Sequence, residues 1–499
     1  MPATLPPSSP LAPLLGWLAT SSAGAALLAL IGVRYRLDAV RCPAWVPLTP
    51  ALFWTALFLL GVALLIAGWL RTVDHLARGA GDGRSFPALL GLLLGPHLIA
   101  LLGLPGHSDD PLAYAAVGRA ITLYGASGYA PLGASLPSGD AVRNLIERYP
   151  AWLEVGSAYG PLWNGLAALV VRLAPGSLVA ELRLFQGIAC GGIVATALVV
   201  AATARRVGRL PWGPPATEAN PPRAARVALA MVLLCPLSIV EGTLNAHNDA
   251  LLALGAALFA WALVRGRPAI GVLALAAATL VKASGGLLLA LYLAHLGIPR
   301  LIPPSRRNGR TLSLLVGLLL ALTVAAVLLL QGPLLHYAST VARLIGRPDD
   351  ALPYCTRSIE CFPRAFAHFV LGSAPLSWAI GLLFRAGAVV LLLWFAMTSP
   401  AGPSHLGSAA RFAFLYYLLF HASNHAWYGL MLLPLVPFLD GRLRRGLVVF
   451  LACGIIHYAA DLPFNCDFRP LTVGLSEVFE GAVTIVPALV VVLRRRAGD

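Results

Sequence analysis

Apolar runs of about twenty residues, the length a helix needs to cross a hydrocarbon core, recur along the whole chain and leave no stretch for a soluble domain. Hydrophobic residues make up 58% of the 499 and charged residues only 11%, with a mean hydropathy of +0.79. Backbone inside a bilayer must satisfy its own hydrogen bonds, so such runs become helices. The expected fold class is therefore all-α, a polytopic transmembrane bundle of about 12–14 helices. The first run, Leu11 to Val33, has no basic residue before it and no cleavage site after it, so it reads as a retained helix rather than a leader.

With the N-terminus inside, crossings fall near residues 11–33, 50–70, 87–104, 183–203, 227–243, 250–264, 311–331, 376–398, 411–424, 427–439, 446–460 and 476–493. Leu162 to Ala174 is short and carries Asn164 and Arg172, which suits a re-entrant or interfacial helix. Residues 268–298 are too long for one helix and are interrupted at Ser284-Gly285-Gly286, which predicts two shorter ones. This threading puts residues 105–160 and 332–375 outside, as two large external loops within one membrane domain. Predicted inner segments hold roughly twice the basic residues of the outer ones, as positive-inside orientation requires. The net charge of +15 is thereby explained without nucleic acid. Cys42, Cys355, Cys361 and Cys466 fall in outer segments, where an oxidising exterior permits a Cys355–Cys361 disulfide without fixing that pairing. Cys190, Cys235 and Cys453 fall in helices as small packing residues.

The first external loop opens with Gly106-His107-Ser108-Asp109-Asp110-Pro111-Leu112-Ala113-Tyr114 and reaches Arg119. Asp then Pro is a helix start, an N-cap acceptor followed by a residue with no amide hydrogen to lose. A carboxylate fixed there, at the water boundary, is also suited to act as a general base. Further on come Gly128-Tyr129-Ala130-Pro131 and Tyr159-Gly160-Pro161-Leu162-Trp163.

This arrangement resembles the first external loop of GT-C glycosyltransferases, polytopic enzymes that use polyprenyl-phosphate sugars, bacterial mannosyltransferases among them. The resemblance implies a GT-C fold with juxtamembrane helices in that loop. By this register Asp110 takes the acidic catalytic position, with Asp109 beside it, and Tyr114, Arg119, Tyr129 and Tyr159 belong to the substrate site. The two crossings before the one that enters the loop depart from the simplest family pattern.

Three later stretches extend the likeness. Glu241-Gly242-Thr243-Leu244-Asn245-Ala246-His247-Asn248-Asp249-Ala250-Leu251 is similar to an H-N-D-A-L segment of bacterial members and assigns His247, Asn248 and Asp249 to substrate. Its plainer reading is a polar turn with Asp249 capping the next helix. Lys282 is the only lysine in the chain. A cation at membrane depth is costly, so it serves either an ion pair in the bundle, with Glu241 as partner, or a phosphate head group. His421-Ala422-Ser423-Asn424-His425-Ala426-Trp427-Tyr428 resembles a late H-W-Y element and brings in His425, Trp427 and Tyr428, though tryptophan and tyrosine also suit an interfacial belt. In the second external loop, Arg357 and Arg364 are the residues chosen to meet a phosphate leaving group, against the plainer reading of a solvated basic loop.

The implied activity is transfer of a hexose, mannose favoured, from a polyprenyl-phosphate donor to a glycolipid or glycan hydroxyl on the external face of the inner (plasma) membrane, with inversion. No cofactor is expected. A divalent metal shared by Asp109 and Asp110 is not favoured. A polytopic transporter and a lipid or polysaccharide ligase are the alternatives.

Overall fold

The computed structural model describes residues 11–38, 48–80, 85–147, 153–154, 156–208, 220–301, 359–421, 425–459 and 469–494. The chain is an all-α bundle, and no strand occurs among the described residues. Helices α1 (Leu11–Asp38) and α2 (Leu48–Ala77) pack as a pair. They are followed by α3 (Phe86–Leu93), α4 (Gly95–Ala100) and α5 (Asp110–Thr122). Short α6 (Leu132–Ser135) and α7 (Ala141–Ile146) lead to α8 (Pro161–Leu173), long α9 (Leu178–Val207) and α10 (Pro221–Leu233). Next come α11 (Asp249–Val264), α12 (Pro268–Val281), α13 (Gly286–Leu301), α14 (Cys361–Ala365) and α15 (Ala374–Thr398). The last are α16 (His405–Leu415), α17 (Gly429–Leu432), α18 (Gly441–Cys453) and α19 (Arg469–Leu493).

Ala12–Gly32, Phe53–Ala77, Leu178–Val207 and Pro375–Thr398 are long and apolar enough to cross a membrane, so the chain is a polytopic membrane protein. Leu383 and Val390 on α15 are 71% and 65% exposed, which in water would be a liability and in lipid is a solvated face. Several expected crossings take other forms. The span near 227–243 is two pieces, α10 and a π-helical turn Ser238–Leu244, bent by 61°. Pro236 lies at the bend, where a missing amide hydrogen and a ring clash end the helix. The carbonyl of Leu233, freed there, lies 2.7 Å from His97 Nε2, while His97 Nδ1 lies 2.7 Å from the Thr243 hydroxyl. His97 thus spans the break. The spans expected at 411–424 and 427–439 fall on helical pieces 405–420 and 426–438, each below the length of a full crossing, the latter with Pro434 and Pro437 within it. Residues 311–331, Arg357 and Cys355 lie outside the described residues.

Leu162 to Ala174 is the short helix α8 as expected, and it packs on α5. The predicted break in 268–298 occurs, but it starts at Lys282, whose backbone is extended, with a single tight turn Ala283–Gly285 before α13. The segment before α8 docks on that break, the Gly160 amide donating to the Val281 carbonyl at 2.8 Å. A Cβ at Gly160 would run into the Leu280 backbone. Close approach of two backbones is why glycine stands in this Tyr-Gly-Pro.

Arg119, which the resemblance assigns to the substrate site, is engaged in a buried ion-pair knot. Its guanidinium reaches Glu181 on α9 at 2.9 Å and Asp140, before α7, at 3.2 Å, and all three side chains are buried. Tyr124 donates a further hydrogen bond to Asp140 at 2.8 Å. This knot ties α5 to α9 and to the loop it enters. Arg119→Met would strand two buried carboxylates, a loss of about 3–5 kcal/mol. Thermal unfolding of the purified variant in detergent is expected to show a markedly lower midpoint; a midpoint equal to wild type would contradict the assignment.

Candidate active site

Breaks in the helices before α5, between the π-helical turn and α11, and after α12 bring together residues from positions 110, 247 and 282. Asp110 is the first residue of α5, whose residues 111 to 120 are all buried. The N-cap expected on the aspartate before Pro111 falls one residue earlier, on Asp109, which makes no side-chain cap bond. The Asp110 carboxylate instead faces inward. Its Oδ2 lies 3.2 Å from His247 Nδ1 and accepts a long hydrogen bond from the Tyr114 hydroxyl at 3.4 Å. Thirteen per cent of the Asp110 side chain is exposed. The carboxylate therefore sits in a largely closed pocket, more withdrawn than an open water boundary would leave it.

Local backbone aims His247. The π-helical turn is wider than an α-helix and is often found at functional sites. It delivers Glu241 inward, and the chain then reverses through Ala246, which holds φ 56. Non-glycine residues rarely adopt that left-handed region. His247 lies between two carboxylates, with Nε2 3.2 Å from Glu241 Oε2. Both approaches are close ion-pair contacts off the ideal hydrogen-bond direction. Glu241 Oε2 also accepts from Asn245 Nδ2 at 3.1 Å and from the Tyr458 hydroxyl at 3.2 Å.

The next pair corrects two expectations. Lys282 Nζ binds Asp249 Oδ2 at 2.7 Å, not Glu241, and Asp249 makes this ion pair where a side-chain cap was expected. Asp249 is fully buried while 11% of the Lys282 side chain remains exposed. The Lys282 ammonium also lies 4.5 Å from the centre of the Tyr428 ring, a cation–π contact. His425, Trp427 and His247 form a stack, with ring centres 4.4 and 4.1 Å apart and planes within 5° and 14° of parallel. Tyr159 packs edge-on against Tyr114, and the Tyr129 hydroxyl donates to the Tyr159 carbonyl at 3.2 Å. Neither side-chain atom of buried Asn248 finds a hydrogen-bond partner among the described residues.

Arg364 is buried and ion-paired to Glu360 at 2.9 Å. Among the described residues no group of three or more His, Cys, Asp or Glu side chains is arranged to hold a metal ion. Glu241 and Tyr458 are the participants that sequence reasoning missed in these roles. Glu241 stands six residues before His247, a spacing that marks no helical face.

Charge in the pocket follows from this geometry. Burial opposes ionisation of Asp110, but His247, the Lys282 ammonium and the Tyr159 hydroxyl outweigh it and hold the carboxyl below its ordinary range. Burial would likewise strip the proton from His247, yet Asp110 and Glu241 raise it above the usual histidine value, to about 9.

Fold and site together define a polytopic membrane protein with a largely buried cluster of charged side chains. The family model described as alpha-(1->6)-mannopyranosyltransferase, N-terminal domain (MptA/B family), matches residues 14–297. The chain belongs to this family and is a glycosyltransferase, a mannosyltransferase. No curated protein and no solved structure matches it. The matched span contains Asp110, Glu241, His247, Asp249 and Lys282, whereas His425, Trp427 and Tyr428 lie beyond it.

Ala246 yields a direct test. A left-handed residue with a Cβ costs roughly 1–2 kcal/mol, so Ala246→Gly is expected to stay within about 1 kcal/mol of wild type. Ala246→Val, branched at a position that already crowds its Cβ, is expected to melt earlier and lose activity. Equal melting of the two variants would contradict this reading.

Proposed function

We propose that the protein moves a mannosyl unit from a polyprenyl-phosphate donor to a glycan or glycolipid hydroxyl at the external face of the plasma membrane, with Asp110 as general base. The observation that carries this reading is which groups of the buried cluster keep access. Asp249, His247 and Glu241 are closed off, while the Asp110 carboxylate and the Lys282 ammonium stay partly exposed. One takes a proton and the other meets an anion. Those are the two duties of a transferase whose leaving group is a phosphate.

The acceptor hydroxyl gives its proton to Asp110 as its oxygen bonds to the anomeric carbon, and the bond from that carbon to the phosphate oxygen breaks on the opposite side. Such a single displacement inverts the centre. An alpha-(1->6) product, the linkage of the family's description, then requires a beta-linked mannosyl phosphate and a primary 6-hydroxyl as acceptor. Lys282, steadied by Asp249 and Tyr428, receives the charge that grows on the departing phosphate. The Asn248 amide, with no partner of its own among the described residues, offers both a donor and an acceptor to sugar hydroxyls. Tyr114, Tyr159 and the His425–Trp427–His247 stack supply apolar faces for the pyranose ring. The prenyl chain lies in lipid-facing grooves of a GT-C-type bundle.

Membranes supplied with radiolabelled polyprenyl-phosphate mannose provide the assay. Asp110→Asn is expected to lower kcat by about 10²- to 10⁴-fold while the protein still folds. Retention of activity within a few-fold, or labelling that maps residues 105–160 to the cytoplasmic side, would sink the proposal. The acid limb of the wild-type pH–rate profile follows the same logic. Because Asp110 ionises below the ordinary carboxylate range, its base form persists as pH falls through that range. Activity is therefore expected to drop only below it.

A further inference from the structure

His247 touches two carboxylates, and the reaction uses only one of them. Glu241 lies at the opposite edge of the imidazole from Asp110, at 3.2 Å from Nε2, and is fully buried. Its neutral partners include Asn245 Nδ2 at 3.1 Å and the Tyr458 hydroxyl at 3.2 Å, both on Oε2. Two neutral donors do not balance a carboxylate buried in an apolar bundle. The titratable nitrogen in ion-pair contact with it is His247 Nε2, while His107 and His457 pack on its partner Tyr458.

We propose that Glu241 is a positioning residue for Asp110 and acts through His247. Its buried charge keeps the ring doubly protonated, and the imidazolium in turn holds Asp110 ionised and fixed in direction. The inference rests on Asp110 being the base. Catalysis then depends on a carboxylate that never meets the sugar.

Other groups bear on the ring. Asp110 and Tyr114 face it from α5, with Tyr159 beyond them on Asp110. Asp249 follows two residues on in the chain, and its charge is matched by Lys282 at 2.7 Å, with Tyr428 beside that ammonium. Trp427 covers one face of the ring, and His425 stacks on the same indole. Of these, Asp110 and Glu241 are the two in ion-pair contact with a ring nitrogen.

The test uses the full chain in lipid nanodiscs and the Glu241→Gln variant, which keeps the shape and removes the charge. In ¹⁵N-histidine spectra the His247 signal, identified by its loss in His247→Gln, is expected to titrate about one pH unit or more lower in Glu241→Gln than in wild type. In the mannosyl-transfer assay the same variant is expected to lose about tenfold in kcat with an unchanged KM for the lipid donor, its alkaline limb moving to lower pH by the same amount. Added to His247→Gln, the Glu241→Gln change is expected to cost nothing further. An unmoved His247 titration, or losses that multiply in the double variant, overturns the proposal. The spectra need no turnover, so two failures stay distinct. An unmoved titration with an inactive Asp110→Asn overturns the role of Glu241 alone, whereas full activity in Asp110→Asn overturns the base and this inference with it. If Glu241→Gln does not fold, Tyr458→Phe removes a neutral donor and leaves the carboxylate leaning harder on His247. The His247 titration is then expected to move up, and a shift down or none overturns the proposal.

Discussion

Three buried or nearly buried carboxylates, Asp110, Glu241 and Asp249, inside an apolar bundle are the constraint on which the site depends. A buried charge is tolerated only when it is paired and hydrogen-bonded. Two cations carry that pairing: His247 sits between Asp110 and Glu241, and Lys282 holds Asp249. The bends and breaks around the pocket exist in service of these contacts. The 61° kink at Pro236, the π-helical turn and left-handed Ala246 aim Glu241 and His247, and the extended backbone at Lys282 turns its side chain toward α11. A straight helix through either region would place these groups at separate heights.

Much of the site was legible in the sequence because polar residues are rare in this chain. Asp110, the His247-Asn248-Asp249 run, Lys282 and the His425-to-Tyr428 segment each stand out at the end of an apolar run, and the fold draws all of them together. Pairing was harder to read. Lys282 was matched to Glu241, although Asp249 lies nearer in space, because sequence distance says nothing about which helix ends meet. Arg119 drew attention as a charged residue in the right loop, but its partners Asp140 and Glu181 come from separate segments, and burial turns it into a structural tie. The contact of Glu241 with His247 escaped because periodicity arguments assume 3.6 residues per turn, and a π-helical turn breaks that register.

The helix count follows the same lesson. Apolar run length predicted full crossings, and α1, α2, α9 and α15 fulfil it. Elsewhere proline and glycine cut the runs at Gly95-Pro96, Pro236, Pro434 and Pro437. Irregular backbone within a membrane protein is tolerated where it is buried in protein or lines a cavity. Here the cuts at Pro236 and Lys282 border the charged pocket, so the departures from regular spans coincide with the proposed site.

In the reaction proposed above, charge movement during transfer links the two ion-pair systems. With the groups in their paired states, the cluster holds three negative and two positive charges, and a donor phosphate adds one more negative charge. That approach is unfavourable unless the negative charges lie apart, which the geometry arranges by giving Asp110 its own cation in His247 and leaving Lys282 on the other side. In the proposed transfer Asp110 becomes neutral as it accepts the acceptor's proton, and the negative charge reappears on the leaving phosphate oxygen. The net charge of the pocket is unchanged, but it has moved from the imidazolium toward the ammonium. Because both cations are held in place by other carboxylates, Glu241 and Asp249, neither must reorient as the charge passes. A preorganised field of this kind stabilises the transition state without moving any heavy group at the moment of reaction.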